Sequence, residues 1–137
     1  MSNLDEIRWK QRFENFSKAL KQLQTACEQK SYSDLELAGL ARTFMFTYEL
    51  GWKVLKDLLC YEGCGLNSPR AVIRQSFESS YLNERDNECF LESLEKRNRL
   101  SHIYDNAIAE EVKTLIKDEY HPMLHRLHQT LSAVRAK

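Results

Sequence analysis

The sequence predicts an all-α protein, an antiparallel up-and-down bundle of about five helices forming a single domain over 1–137. Three observations carry that expectation. Apolar residues recur in steps of three and four through most of the chain. Capping residues stand where those stripes begin, and no stretch shows the period-two alternation of a strand. At 137 residues the chain is long enough to bury a core without a metal or a disulfide staple.

Trp9, Phe13, Phe16, Leu20, Leu23 and Cys27 alternate steps of four and three, which puts all six on one face of a first helix over about 5–29. Their aromatic members could stack bases, but at this spacing they read as core. Ser33 with Glu36 fits a capping box and opens a second helix that runs to about 62, where Gly63 and Gly65 stop it. Leu37, Leu40, Phe44, Tyr48, Trp52, Leu55 and Leu59 line one side of that helix, and Phe46, Leu50 and Leu58 extend the apolar surface round it. A helix apolar on several sides is central, or faces a partner. Ser68 before Pro69 gives an N-cap and an N1 proline for a short third helix over 70–79 bearing Val72, Ile73 and Phe77, with a polar loop expected over 80–87.

Phe90, Leu91, Leu94 and Leu100 mark a fourth helix, and Asp105-Asn106 separates it from, or kinks it into, a fifth. Ile108, Val112, Leu115 and Ile116 line the fifth. Pro122 removes one helical hydrogen bond and should bend it before Leu124, Leu127, Leu131 and Val134 resume the stripe.

Composition narrows function. Lys plus Arg equals Asp plus Glu at 20 each, which excludes a broad positive coat for nucleic acid, so any RNA contact is local. The end of the chain is mildly basic, with Arg126, Arg135 and Lys137 and no acid after His121. No apolar run reaches the roughly 18 to 20 residues of a membrane span. No secretory segment precedes Cys27, Cys60, Cys64 and Cys89, so reduced thiols in a cytoplasmic protein are expected.

The segment RNRLSHIYD, from Arg97 to Asp105, is the richest in reactive side chains. Metal-independent RNA cleavage needs a base for the 2′-hydroxyl proton and a cation to offset charge on the pentacoordinate phosphate. His102 and Arg97 have those capacities, and Asp105 could orient the imidazole. On one straight helix Arg97 and His102 would stand about 140° apart. They converge only if the arginine wraps round, the helix ends near His102, or two copies meet across a two-fold. The plainer reading pairs Arg97 with Glu92 or Glu95 and uses His102 as a helix cap.

Taken with FMFTYELGWKVLKDLL from Phe44 and SPRAVIRQSF from Ser68, the stretch LEKRNRLSHIYD from Leu94 resembles the nucleotidyltransferase substrate-binding branch of the HEPN proteins, in the family's order over about two thirds of the chain. The resemblance implies a helical bundle that homodimerises with its Arg and His motifs facing a shared cleft, beside a minimal nucleotidyltransferase as partner. It implies a module resembling toxin and antitoxin, with Arg97 and His102 cleaving RNA and Tyr104 accepting AMP, an anion that would block the cleft and neutralise Arg97. Glu49, Trp52 and Lys53 match the family's helix-two block, and Asn98 and Ser101 fall within the motif as supporting residues. Met45, where the branch often carries an acid, and Arg99 and Leu100 depart from the pattern. The family's name implies an alternative role, a non-catalytic subunit that presents a nucleotide or other substrate to its nucleotidyltransferase.

No cofactor and no metal is expected. His121, His125 and His128 recur at i, i+4 and i+7, a spacing that could hold zinc or nickel, but the stripe lies beside the apolar one and reads as a solvated flank. Cys60 and Cys64 lack the tight turn and second pair of a zinc knuckle. Gly63 and Gly65 lack the lysine of a phosphate loop.

Overall fold

The computed structural model describes residues 3–97 and 106–137. Helix α1 (Asn3–Cys27) and helix α2 (Asp34–Tyr61) form an antiparallel hairpin. Short helices α3 (Pro69–Glu78) and α4 (Glu84–Lys96) follow. The chain closes with α5 (Asn106–Leu115), a π-helical turn (Ile116–Tyr120) and α6 (His121–Ala136) in unbroken helical succession. Among the described residues there is no strand, and no helix is long and apolar enough to cross a membrane. The expected all-α bundle is the observed one.

Helix starts follow local chemistry. Ser33 accepts a hydrogen bond from the Glu36 amide while the Glu36 carboxylate accepts from the Ser33 amide, which completes the capping box. Ser68 accepts from the Ala71 amide with Pro69 behind it. Gly63 ends α2 at φ +96°, a conformation costly for any residue with a Cβ. It lets the Cys64 amide reach back to the Leu59 carbonyl at 2.8 Å. The 80–87 loop is shorter than expected: Asn83 caps the Asp86 amide at 2.7 Å and α4 begins at Glu84. An asparagine cap is hard to tell from a loop asparagine until the helix behind it is seen.

Helix α2 is central, with buried residues from Leu37 to Leu59 on most of its circumference. Its glycine Gly51 is where three helices close up: a Cβ there would lie 3.3 Å from Phe16 of α1 and 3.4 Å from Leu124 of α6. Trp9, Phe13 and Phe16 are buried in that core, as their spacing predicts. Not all of the expected α2 surface is covered, since Phe46 is 60% exposed and Leu50 only half-buried.

Two buried carboxylates bolt the helices laterally. Asp57 of α2 pairs with Arg12 Nε of α1 at 2.9 Å. Asp86 of α4 receives two donors from Arg126 of α6, Nη2 to Oδ1 at 2.7 Å and Nε to Oδ2 at 3.1 Å, the fork geometry peculiar to arginine.

The interruption expected at Pro122 takes a specific form. Proline has no amide hydrogen to give, and the turn just before it widens until the His121 amide donates to the Ile116 carbonyl five residues back.

Candidate functional site

The reactive segment lies where α4 ends. Arg97 is the residue after the last of α4, and α5 begins at Asn106. Asn98, Ser101, His102, Tyr104 and Asp105 lie outside the described residues. Arg97 therefore fixes the site in the fold, and its neighbours define the surroundings.

Glu49 is the hub of those surroundings. It is contributed by α2, next to Tyr48, on the side of that helix that faces the end of α4. One carboxylate oxygen lies 3.8 Å from Arg97 Nη1. The other accepts from the Trp52 indole N–H at 3.0 Å and lies 3.9 Å from Lys53 Nζ. The ammonium of Lys53 also stands 6.0 Å from the Trp52 ring. Steps of three and four along α2 put Glu49, Trp52 and Lys53 within mutual reach. Four residues singled out in the sequence are thus brought together: Arg97, Glu49, Trp52 and Lys53.

Beneath them is an aromatic floor. Tyr48 is buried against Phe90 of α4 at 5.3 Å between ring centres, and Phe44 stacks on Tyr120 at 5.3 Å. Burial pushes the Tyr48 phenol well above its usual range, so it stays protonated and can act only as a neutral donor or acceptor. The Arg97 and Arg70 guanidiniums pull the other way, and burial outweighs them. A narrow cavity of about 10 Å³, room for one water, lies alongside and is lined by Phe44, Ser93, Lys96, Arg97, Val112 and Tyr120.

Arg70 escaped the sequence reading. It sits at the start of α3 and reaches Glu95 of α4, Nη2 to Oε1 at 3.4 Å. Only the SPR triplet marks it in the sequence, where it reads as part of a helix start. Its pairing with Glu95 depends on how α3 packs on α4, a long-range fact. Of the two acids that sequence proximity offered Arg97, Glu92 pairs with Lys96 at 3.1 Å and Glu95 with Arg70.

Competing constellations separate. The three histidines do not form a uniform solvated flank. His125 is exposed, but His128 is half-buried, stacked on Phe13 at 4.9 Å and hydrogen-bonded through Nε2 to Ser17 Oγ at 2.8 Å. Packing of α6 on α1 turns that imidazole inward, and His121 is half-buried as well. Among the described residues no cluster of three or more His, Cys, Asp or Glu could hold a metal ion. All four cysteines are free thiols. Burial pushes Cys27 up to about 11 and Cys89 up to about 12, which keeps both protonated and poor as nucleophiles.

The fold and this cluster define a class, a small helical bundle that sets an arginine, Arg97, at a helix end beside acidic and aromatic side chains. Residues 11–133 match the family described as nucleotidyltransferase substrate binding protein like, and the chain belongs to that family. A crystal structure of a protein from Thermus thermophilus shows the same fold, with a TM-score of 0.77 at 26% identity over 88% of this chain and 98% of that one. No curated protein sequence matches.

Proposed function

We propose that this protein is the helical partner of a minimal nucleotidyltransferase and a metal-independent ribonuclease of a toxin and antitoxin type, silenced when AMP is added to Tyr104. The observation that carries the reading is the family match over 11–133, taken with Arg97 presented at the end of α4 beside the Glu49–Trp52–Lys53 group. His102 takes the proton from a ribose 2′-hydroxyl, the freed oxygen attacks the adjacent phosphorus, and the 5′-oxygen leaves. The guanidinium of Arg97 offsets the charge that builds on the phosphate oxygens. Glu49 holds that guanidinium in place, and Trp52 and Lys53 hold Glu49. In silencing, the Tyr104 hydroxyl attacks the α-phosphorus of ATP and pyrophosphate leaves. Two copies supply the shared cleft, and Asn98, Ser101 and Asp105 complete its wall.

The test is RNA cleavage by purified protein in EDTA, wild type against His102→Ala and Arg97→Ala, with intact mass recorded to detect added AMP. Cleavage by unmodified wild type alone is the expected result. No cleavage from unmodified protein across several RNAs would overturn the nuclease and leave a subunit that presents substrate to its nucleotidyltransferase, the role that the family's name describes.

A further inference from the structure

We propose that the groove between α1 and α2 is a binding site for single-stranded RNA, in which Arg8 and Arg12 hold a phosphate group and the exposed ring of Phe46 takes the face of a base. The inference rests on the ribonuclease reading just given and extends it, because the groove lies apart from the Arg97 cluster and holds a further stretch of the same strand.

The groove contains a cavity of about 290 Å³, lined by Arg8, Gln11, Arg12 and Asn15 of α1 and by Leu50 of α2. That volume is close to the lower end of the range of roughly 300–1,000 Å³ for ligand pockets. The four α1 residues fall at i, i+3, i+4 and i+7, so they share one face of the helix and spread along about 10 Å of its length. Two guanidiniums and two carboxamides thus converge on one hollow. Neither Gln11 nor Asn15 makes a side-chain hydrogen bond among the described residues, and a carboxamide can serve both phosphate oxygens and sugar hydroxyls.

Arg12 is anchored. Its Nε lies 2.9 Å from Asp57 Oδ2, and Asp57 is only 8% exposed. A guanidinium carries five N–H donors, so others remain for an anion. Arg8 is barely tied, with Asp5 at 4.0 Å and its own side chain 58% exposed. A pair of that length contributes little and gives way to a better anion. Phosphate is that anion for arginine, because its oxygens match the guanidinium fork.

Phe46 continues the groove. Thr47 Oγ1 donates to the Ala19 carbonyl at 3.3 Å, and Ala19 is one turn past Asn15. The antiparallel register therefore sets Phe46 beyond the Asn15 end of the cavity, one turn along α2 from Leu50. Its ring is exposed. Cations followed by a flat apolar ring match the backbone and bases of a single strand, the combination by which such strands are bound with little regard to sequence. An acidic peptide needs the cations but not the ring. Leu50 directly follows Glu49, the partner of Arg97, so the groove and the Arg97 cluster occupy adjoining faces of α2.

The experiment measures binding of a labelled single-stranded RNA 12-mer to the full-length protein carrying His102→Ala, so that cleavage does not intervene, with sedimentation of each variant alongside. Arg8→Ala is expected to weaken binding roughly threefold to tenfold and to lower the slope of log affinity against log salt by about 0.7, the loss of one single-strand phosphate contact. Lys21→Ala removes a like charge from another side of α1 and is expected to change affinity less than about twofold. Arg12→Ala would strand Asp57, so Arg12 is tested as Arg12→Lys, which keeps a cation beside Asp57, loses the fork and should weaken binding with the fold intact by circular dichroism. Phe46→Leu keeps apolar bulk and loses the flat ring, and should weaken binding roughly fivefold, whereas Phe46→Tyr keeps the ring and should bind as wild type. No measurable binding of the 12-mer overturns the site. Equal losses from Arg8→Ala and Lys21→Ala, or no loss from Arg8→Ala, overturn it in favour of general electrostatic attraction. An unchanged Phe46→Leu overturns it as drawn, and a Phe46 variant that alters the sedimenting mass but not RNA affinity assigns the ring to a protein interface instead. Failure here is separable from failure of the nuclease. Wild type that cleaves in EDTA with Arg8 and Phe46 irrelevant to binding refutes only the groove, and groove-dependent binding without cleavage refutes only the nuclease.

Discussion

The two ends of α4 are tied down in different ways. At its start, Asp86 is almost wholly buried and takes both prongs of Arg126 at 2.7 and 3.1 Å. At its end, Arg97 and Glu95 meet their partners at 3.8 and 3.4 Å in the open. The same residue types serve both ends, so the difference lies in burial and fit. A sealed, two-pronged pair fixes where α4 sits on α6. A long, exposed pair leaves its cation available to an anion, and it is at this end that the segment beginning with Arg97 starts.

The contrast is tested with the largest effect at the sealed end. Arg126→Ala strands a buried carboxylate and should cost about 3 kcal/mol of stability, read from urea unfolding. Asp86→Ala leaves a half-exposed guanidinium that water can serve, so its cost should be smaller, about 2 kcal/mol. The reverse order would show that Asp86 is not the group that depends on its partner.

Acid probes the same sealed packing at α6. Burial holds the imidazoles of His121 and His128 below their ordinary value of 6.5, and the neighbouring His125 lowers both further. As pH falls through that value the unfolded chain takes up protons before the folded one. The stabilising contribution is therefore complete above about pH 6.5 and is lost as pH drops toward the depressed folded values. The melting temperature should fall on going from about pH 7.5 to about pH 5.5, and the double change His121→Asn with His128→Asn should flatten that dependence. Asp57 works with the opposite sign and at lower pH. Burial raises its carboxyl despite Arg12, so protonation there favours the fold.

The smallest effects belong to the loose end. Arg97→Ala and Glu49→Gln should each shift stability by less than about 1 kcal/mol, while Arg97→Ala should abolish the RNA cleavage proposed above. A large loss of stability from Arg97→Ala would make that arginine a structural residue and erase the contrast between the two ends of α4.

Much of this was legible in the sequence because it is local. The α1 stripe from Trp9 to Cys27, the Ser33 capping box and the Ser68-Pro69 start each depend on residues within a turn or two of one another. Glu49, Trp52 and Lys53 came as a group from the family resemblance, and the structure shows them in mutual reach. What escaped depends on packing between distant segments. Asp86 with Arg126, 40 residues apart, Arg70 with Glu95, and the inward turn of His128 onto Phe13 have no short-range signature. The family resemblance supplied the placing of Arg97 and His102 as candidates, which spacing alone left open.

The wide turn at Ile116–Tyr120 bears on all of this through helical phase. Val112, Ile116, Tyr120 and Leu124 are all buried, a run of three consecutive four-residue steps, each of which overshoots an ordinary 3.6-residue turn. A strict α-helix would carry such a run steadily off the core, and one widened turn resets the count. Excising a single residue between 116 and 120 would rotate α5 by about 100° relative to α6. Val112 would leave the core. The direction in which α5 begins thus hangs on an angle set ten residues further along the chain.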